Sequence, residues 1–148
     1  MGLVSLCQQD SRWAGKTMGA GNWTIGRWGC LLTDVTMMYD WFFNRNAGPD
    51  WVDSQLSFTQ GLLIWSSLSK IGLHLVTRTN GRNDVVIREG LANPNECVML
   101  QVNNSHWLFL TGRWIPVFGY NVIDPWDGRT KYTNAYGNNI TGSATIGK

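Results

Sequence analysis

The stretch Thr24-Ile25-Gly26-Arg27-Trp28-Gly29-Cys30 is followed directly by an apolar run over residues 31–44, and the prediction of the fold starts from this junction. Within the run, apolar side chains recur at three- and four-residue steps, as on one face of an α-helix: Leu31, Leu32, Val35, Met38, Tyr39, Phe42 and Phe43. The sequence therefore predicts a helix over residues 31–44 that opens at Cys30. Unpaired amides and the dipole at a helix N-terminus favour negative charge, so a thiolate at Cys30 would be stabilised there.

The segments after this helix predict more helices and then a sheet. Two short helices are expected over residues 51–60 and 62–71, and a third is expected to start at Asp84 and end before Pro94. Strand-like patterns follow the turn signals of the sequence, over residues 73–77, 98–102, 107–111 and 117–123, with a tight connection at 103–105. The predicted fold class is α+β, with N-terminal helices packed on a C-terminal antiparallel sheet.

The length predicts one domain. The chain has 148 residues, a common size for a single folded unit. We expect that domain to span residues 1–148, with its core over about 8–134. Tyr132 is expected to open a last short strand. From Ala135 the sequence is rich in Gly, Asn and Thr, which predicts a loose C-terminal tail over residues 135–148.

Composition and charge limit the classes of partner. Hydrophobic residues make up 43% and charged residues 15%, as is typical of a globular protein. The net charge of +2, from 12 basic and 10 acidic residues, is too balanced to indicate a nucleic-acid partner. No segment approaches the roughly 18 apolar residues of a membrane span. Residues 1–7 lack the basic start and long apolar stretch of a secretory signal, so we expect synthesis in a cytoplasm without a signal peptide.

The cysteine count argues against a disulfide framework and against a metal site. Cys7, Cys30 and Cys97 form no CxxC pair and have no histidine at a zinc-binding spacing. Cys7 and Cys97 lie in apolar, strand-like stretches, which favours a structural role for both. The sequence thus predicts free thiols, one of them reactive, and neither a metal nor another cofactor.

Four residues occur in the order that nucleophilic catalysis by a thiol requires: Gln8, Cys30, His106 and Asp124. An imidazole within hydrogen-bond reach of a thiol forms a thiolate–imidazolium pair, and a third group must orient the imidazole. If the strands over 107–111 and 117–123 pair as antiparallel neighbours, the start of the first faces the end of the second. That register places His106 beside Asp124. The Cys30 amide and the Gln8 side chain could then donate to an oxyanion.

Each of these residues has a simpler explanation when taken alone. Cys30 could be a small buried apolar residue, His106 a surface loop residue, and Asp124 part of an ordinary turn. The second histidine, His74, is expected on the solvent face of a strand. Only the order, the helix start and the strand register together favour chemistry.

Three residues are assigned to substrate binding. Trp28 could form a wall of a substrate groove, and Gly29 would let the backbone and a substrate approach closely. Trp107, next to His106, is the third, although packing on the opposite side of its strand is an alternative.

The motifs resemble those of papain-like cysteine peptidases of the bacteriocin-processing, double-glycine leader peptidase-like family, in its stand-alone bacterial and phage branch. The segments that carry the likeness are Gln8-Gln9-Asp10-Ser11-Arg12-Trp13-Ala14, Thr24 to Cys30, Leu32-Thr33-Asp34-Val35-Thr36-Met37-Met38, His106-Trp107, and Asp124-Pro125 with Gly128. Together they cover roughly residues 8–130. The gap from Gln8 to Cys30 is longer than in the leader peptidases proper.

The resemblance implies a papain-like fold and a Cys–His–Asp triad. Carried over by motif, Cys30 is the nucleophile, His106 the base, Asp124 the orienting acid and Gln8 the oxyanion donor. We expect a cysteine peptidase that cuts peptide or amide bonds, such as a phage or bacterial endopeptidase that degrades peptidoglycan after release or as part of a virion. A precursor-processing peptidase is one alternative. A non-catalytic binding or structural module of a virion or secretion machine is another.

Overall fold

The computed structural model describes residues 2–148. Its α-helices are α1 (Ile25–Trp28), α2 (Cys30–Phe43), α3 (Pro49–Gln55) and α4 (Asp84–Ala92). Its strands are β1 (Phe58–Thr59), β2 (Leu62–Leu63), β3 (His74–Asn80), β4 (Glu96–Val102), β5 (His106–Ile115), β6 (Gly119–Asp124), β7 (Arg129–Tyr132) and β8 (Ile140–Gly147). Short 3₁₀ helices cover Trp65–Ile71 and Thr133–Tyr136.

Six of the strands form one antiparallel sheet in the order β3-β8-β4-β5-β6-β7. Helix α2 packs on one face of this sheet and α4 packs on the other. The predicted α+β class, with helices packed on an antiparallel sheet, is thereby confirmed, although α4 lies between β3 and β4 in the chain. The predicted helix over 31–44 is α2, and the predicted helix from Asp84 is α4.

Two helix layers explain why β4 is apolar on both of its faces over residues 97–100. Along β4, Cys97 and Met99 join the core under α2, while Val98 and Leu100 join the core under α4. All four side chains are buried. A strand that alternated apolar and polar residues would leave one helix without a surface to pack on. Full burial of each large apolar side chain stabilises the fold by about 1.5–3 kcal/mol.

The prediction of a loose tail over residues 135–148 is wrong. Strand β8 pairs with β3 on one side and β4 on the other, and Ser143, Ala144, Thr145 and Ile146 are all buried. Small residues are needed here because α4 approaches closely. A side chain on Gly90 of α4 would lie 3.2 Å from Thr145. The composition that suggested a surface tail is therefore the composition of a strand beneath a tightly packed helix.

Two further boundaries differ from the prediction. The helix expected over 51–60 ends at Gln55, and residues 58–63 form a hairpin in which Phe58 pairs with Leu63. Its turn residues, Gln60 and Gly61, have φ of 51° and 74°, the conformation of a two-residue hairpin turn. The expected helix over 62–71 is consequently reduced to a 3₁₀ helix after β2. Tyr132 ends β7 rather than opening a strand.

Candidate active site

Cys30 is the first residue of α2, a helix of 14 residues. Gly29 separates α2 from α1, and its amide donates to the Ile25 carbonyl at 2.8 Å, which ends α1. Cys30 is half-buried, so its sulfur is held by the fold yet reaches the surface. The N-terminal end of a helix favours a negative group, which is the environment that the sequence predicted for this thiol.

His106 begins β5, directly after the turn that joins it to β4. Val102 pairs with His106 across this hairpin, and the turn residues Asn103 and Asn104 have φ of 52° and 58°. Asparagine tolerates this left-handed conformation better than most residues do. The predicted tight connection is confirmed, and it fixes the imidazole at a rigid strand end.

The structure brings His106 and Asp124 together as the strand register predicted. Strands β5 and β6 are antiparallel neighbours, and the His106 Nε2 atom lies 2.7 Å from Asp124 Oδ1. Because Asp124 occupies Nε2, Nδ1 is the ring nitrogen left for the thiol. Cys30 lies close enough to this ring for its sulfur to raise the pKa of the imidazole. Imidazole and carboxylate are thus directly hydrogen-bonded, with the sulfur beside the ring.

Asp124 is a buried carboxylate that is surrounded by donors. Besides His106, its Oδ1 accepts a hydrogen bond from the Trp126 amide at 2.9 Å. Its Oδ2 accepts from the Lys131 ammonium at 3.0 Å and from the Tyr136 hydroxyl. Burial alone would raise the pKa of Asp124, but these donors hold it well below its usual range. The carboxylate is therefore ionised at neutral pH and can fix the orientation of the imidazole.

The imidazole is held in its charged form. Burial lowers the pKa of His106, but the hydrogen bonds to Asp124 and Cys30 and the negative charge on both outweigh it and raise the pKa to about 9. At neutral pH the His106 ring is accordingly an imidazolium. A cation beside a thiol stabilises the thiolate, as a nucleophilic cysteine requires.

Gln8 lies beside the loop that precedes Cys30. Its backbone amide donates to the Pro125 carbonyl at 2.7 Å, which ties the N-terminal segment to the residue after Asp124. The Gln8 side-chain amide donates to the Gly26 carbonyl at 3.1 Å, and its oxygen is buried without a hydrogen-bond partner among the described residues. The amide thus supports the loop before Cys30. Its role as an oxyanion donor remains a prediction.

A groove of about 460 Å³ opens at Cys30. Trp28 lies on one side of the groove and is 45% exposed, and the β1–β2 hairpin contributes Leu62 and Leu63. Trp107 is buried and lines the groove from β5, where it also packs against Trp65 at 6.5 Å between ring centroids. In the described part of the chain no charged side chain lines the groove. Its walls are aromatic and aliphatic, with a few polar groups at the β4–β5 end.

Gly29 is buried rather than open to a ligand, so its contribution differs from the predicted one. A Cβ on Gly29 would lie 2.5 Å from the Ile25 carbonyl oxygen and 3.0 Å from the Ile25 Cα. Both atoms are backbone atoms of α1 and cannot move aside cheaply. The absence of a side chain at Gly29 therefore allows α1 to meet α2 at Cys30.

We expect Gly29→Ala to lower both stability and thiol reactivity. The added methyl group must displace α1 or the first turn of α2, at a cost of about 1–3 kcal/mol. The displacement should also move the Cys30 sulfur relative to His106 and slow its alkylation by iodoacetamide. Gly15→Ala is the matched control, since a Cβ there meets nothing within 4 Å. Equal melting temperatures and alkylation rates for the two variants would contradict this role of Gly29.

Asp34 is a second buried carboxyl, one helical turn after Cys30. It is fully buried, and neither of its carboxyl oxygens has a hydrogen-bond partner among residues 2–148. Burial raises the pKa of Asp34 well above its usual range, and the charges on Cys30 and Asp124 raise it further. Burial therefore favours the uncharged acid form of Asp34 beneath the site.

We expect Asp34→Asn to change the pH dependence of stability. A carboxyl whose pKa is raised by folding stabilises the protein below its unfolded pKa, and this contribution is lost as the pH rises toward its folded pKa. The asparagine variant lacks that loss. Its melting temperature should therefore match that of the wild type near pH 4 and exceed it at pH 8. A difference of the same size at both pH values would show that Asp34 does not titrate in this way.

Sequence reasoning missed three groups that complete the site. Tyr136 was assigned to the loose tail, so its bond to Asp124 could not be anticipated. Lys131 lies on β7 opposite Val122 of β6, and its ion pair with Asp124 would have followed from a predicted β6–β7 hairpin. The helical spacing of Asp34 from Cys30 was visible in the sequence, but nothing in the pattern indicated that its carboxyl lacks a partner.

The two other cysteines and the second histidine lie outside this site. Cys97 is buried in β4, where burial raises its pKa to about 12. Cys7 lies in a loop rather than a strand, and its thiol contacts the Trp126 carbonyl at 3.3 Å. His74 is exposed at the start of β3, as predicted.

Residues 2–148 contain no cluster of three or more His, Cys, Asp or Glu side chains suited to a metal ion. No helix within that range is long and apolar enough to cross a membrane. The chain matches no protein-family model and no curated protein.

Proposed function

We propose that this protein is a papain-like cysteine peptidase in which Cys30, His106 and Asp124 form the catalytic triad. One observation carries the proposal: His106 is hydrogen-bonded to a buried carboxylate and lies beside a thiol at a helix N-terminus. A histidine with a purely structural role would need neither the thiol nor the carboxylate beside its ring. The three residues come from α2, β5 and β6, so the fold assembles the chain of contacts from distant segments.

In the proposed reaction the Cys30 thiolate attacks the carbonyl carbon of a peptide bond. The tetrahedral intermediate collapses as the His106 imidazolium gives its proton to the leaving amine, which leaves a thioester on Cys30. The neutral imidazole then takes a proton from water, and the resulting hydroxide attacks the thioester. Collapse of this second intermediate releases the carboxylic acid product and restores the thiolate–imidazolium pair. Asp124 keeps Nε2 protonated and orients the ring throughout.

The developing oxyanion needs hydrogen-bond donors. Amides in the first turn of α2 have no acceptor within the helix, so the Cys30 N–H is well placed to donate. Gln8 is the proposed second donor. For this role one N–H of its side-chain amide must turn from the Ile25 carbonyl, 3.5 Å away, toward the groove, while the other remains on the Gly26 carbonyl.

The groove favours an uncharged substrate segment. Its walls carry Trp28, Trp107 and the leucines of the β1–β2 hairpin, and burial of a charged side chain against them would leave that charge unpaired. Aromatic walls also suit the flat faces of peptide bonds and sugar rings. This chemistry supports a peptidoglycan endopeptidase of a phage or bacterium that cuts at an uncharged position of the wall peptide. A peptidase that processes a protein precursor is the alternative within the same mechanism.

Digestion of purified peptidoglycan and of a peptide library tests the proposal. Mass spectrometry of the soluble products should show new amine and carboxyl ends, with uncharged residues beside the cut. The Cys30→Ala variant should release none of them. Cleavage of library peptides alone would favour the precursor-processing alternative. Absence of products from both substrates, together with a Cys30 thiol that iodoacetamide alkylates slowly, would instead indicate a non-catalytic module.

A further inference from the structure

A basic cavity lies on the sheet face that α4 covers, opposite the face that carries Cys30. It has a volume of about 400 Å³, and its lining residues are Arg82, Asp84, Arg88, Leu91, Arg113, Trp114 and Tyr120. Leu91, Trp114 and Tyr120 pack on the apolar cluster beneath α4, whereas the residues around Cys30 pack on the other cluster. The cavity is therefore separate from the proposed active site. We propose that it binds the phosphate group of a small phosphate ester.

Arg82 is held in place before any ligand arrives. Its guanidinium carbon lies 4.2 Å from the centroid of the Trp114 ring, and its Nε donates to the two Asp84 carboxyl oxygens at 2.9 and 3.1 Å. Trp114 in turn packs edge-on against Tyr120, with ring centroids 5.3 Å apart. Because Nε is the atom bound to Asp84, the terminal nitrogens of Arg82 stay free to donate. A fixed fork of this kind loses little entropy when it binds an oxyanion.

The single carboxylate in the cavity is already neutralised. Asp84 accepts from Arg82 and from the Tyr120 hydroxyl, so both its charge and its oxygens are engaged within the fold. Arg88 lies one turn after Asp84 on α4, and Arg113 comes from β5. In the described chain neither Arg88 nor Arg113 belongs to a salt bridge. Neither guanidinium group is thus hydrogen-bonded to a carboxylate of the described chain, although the charge of Arg88 acts on Asp84.

The distribution of charge supports a phosphate rather than a neutral ligand. Three arginines and one aspartate line the cavity, so it carries a surplus of two positive charges. Outside the cavity the chain has nine basic and nine acidic residues, so their formal charges balance. Planar guanidinium groups match the tetrahedral oxygens of a phosphate in two-point hydrogen bonds, which makes arginine clusters selective for such groups. The volume leaves room for a short polyol or sugar beside the phosphate.

Calorimetric titration of the full chain with glycerol 3-phosphate tests this site. We expect saturable binding, with glycerol as the neutral control giving no signal. Arg88→Gln and Arg113→Gln should each weaken binding about tenfold, since each removes charge-assisted hydrogen bonds to the phosphate. Arg45→Gln is the matched control, because it makes the same change in net charge at an exposed residue outside the cavity. It should leave the affinity unchanged.

A parallel titration with inorganic phosphate shows whether the cavity binds a phosphate ester or free phosphate. Tighter binding of glycerol 3-phosphate than of inorganic phosphate would show that the site accepts an ester, as we propose. Binding of inorganic phosphate alone, no saturable binding of either probe, or equal weakening by Arg45→Gln and Arg113→Gln would each overturn the proposal. None of these results depends on peptidase activity, and circular dichroism spectra of the variants check that they fold.

Discussion

Replacing Cys30 with alanine is expected to remove peptide hydrolysis, with kcat falling by about 10⁶-fold or to the detection limit. No other thiol can take over the attack. Cys97 is buried with a raised pKa, and the Cys7 thiol contacts the Trp126 carbonyl rather than His106. The melting temperature should change little, because Cys30 is a small, half-buried residue that lines a groove and packs against the core only in part.

Cys7→Ala provides the matched control for this experiment, since it also removes one half-buried thiol. It should keep wild-type activity. Hydrolysis that survives in Cys30→Ala, or that is lost in Cys7→Ala without unfolding, would show that Cys30 is not the nucleophile. Peptide products should be quantified with both variants at the same concentration of folded protein.

Replacing Asp124 with asparagine is expected to lower kcat by about 10⁴-fold. In the wild type, four donors share the two carboxylate oxygens of Asp124. An asparagine offers these donors a single oxygen, and it carries no charge to balance the imidazolium. The pKa of His106 should therefore fall from about 9, and the ring should be largely neutral near pH 8. NMR titration of the His106 ring in wild type and variant measures this directly. An unchanged titration would contradict the role that we assign to Asp124.

The same substitution has a defined effect on stability. Folding lowers the pKa of Asp124, so its contribution is present above its unfolded pKa and is lost as the pH falls. The difference in melting temperature between wild type and Asp124→Asn should therefore shrink from pH 7 toward pH 3. Asp127→Asn is the matched comparison: Asp127 also pairs with Lys131, at 2.9 Å, and its pKa is also lowered, but it is more exposed than Asp124 and bonds neither His106 nor Tyr136, so its difference should shrink less.

Local patterns were enough to predict the parts of the site that depend on neighbouring elements. Helical periodicity placed Cys30 at the start of α2, and hairpin geometry placed His106 beside Asp124. In both cases the deciding contacts join segments that are close in sequence or paired as adjacent strands. Local patterns could not predict that Cys30 lies near His106. The resemblance to a known family supplied that expectation.

Long-range packing was not predictable in the same way. The last strand, β8, contains small residues because Gly90 of α4 approaches Thr145, and nothing near residue 145 in the sequence reports that approach. The hairpin over residues 58–63 likewise interrupts a stretch whose apolar spacing also fits a helix. Tyr136 reaches Asp124 only because β8 returns the chain into the sheet. Errors at these three places share one cause, which is the choice among tertiary partners.

Alkylation of Cys30 as a function of pH tests the central claim most directly, namely that Cys30 and His106 form a thiolate–imidazolium pair. Site-resolved mass spectrometry after a short exposure to iodoacetamide gives the rate at each thiol. The pair predicts fast alkylation of Cys30 at pH 6, and a rate about a hundredfold lower in His106→Ala, since an isolated thiol is mostly protonated there. Equal rates in the two proteins at pH 6 would contradict the claim.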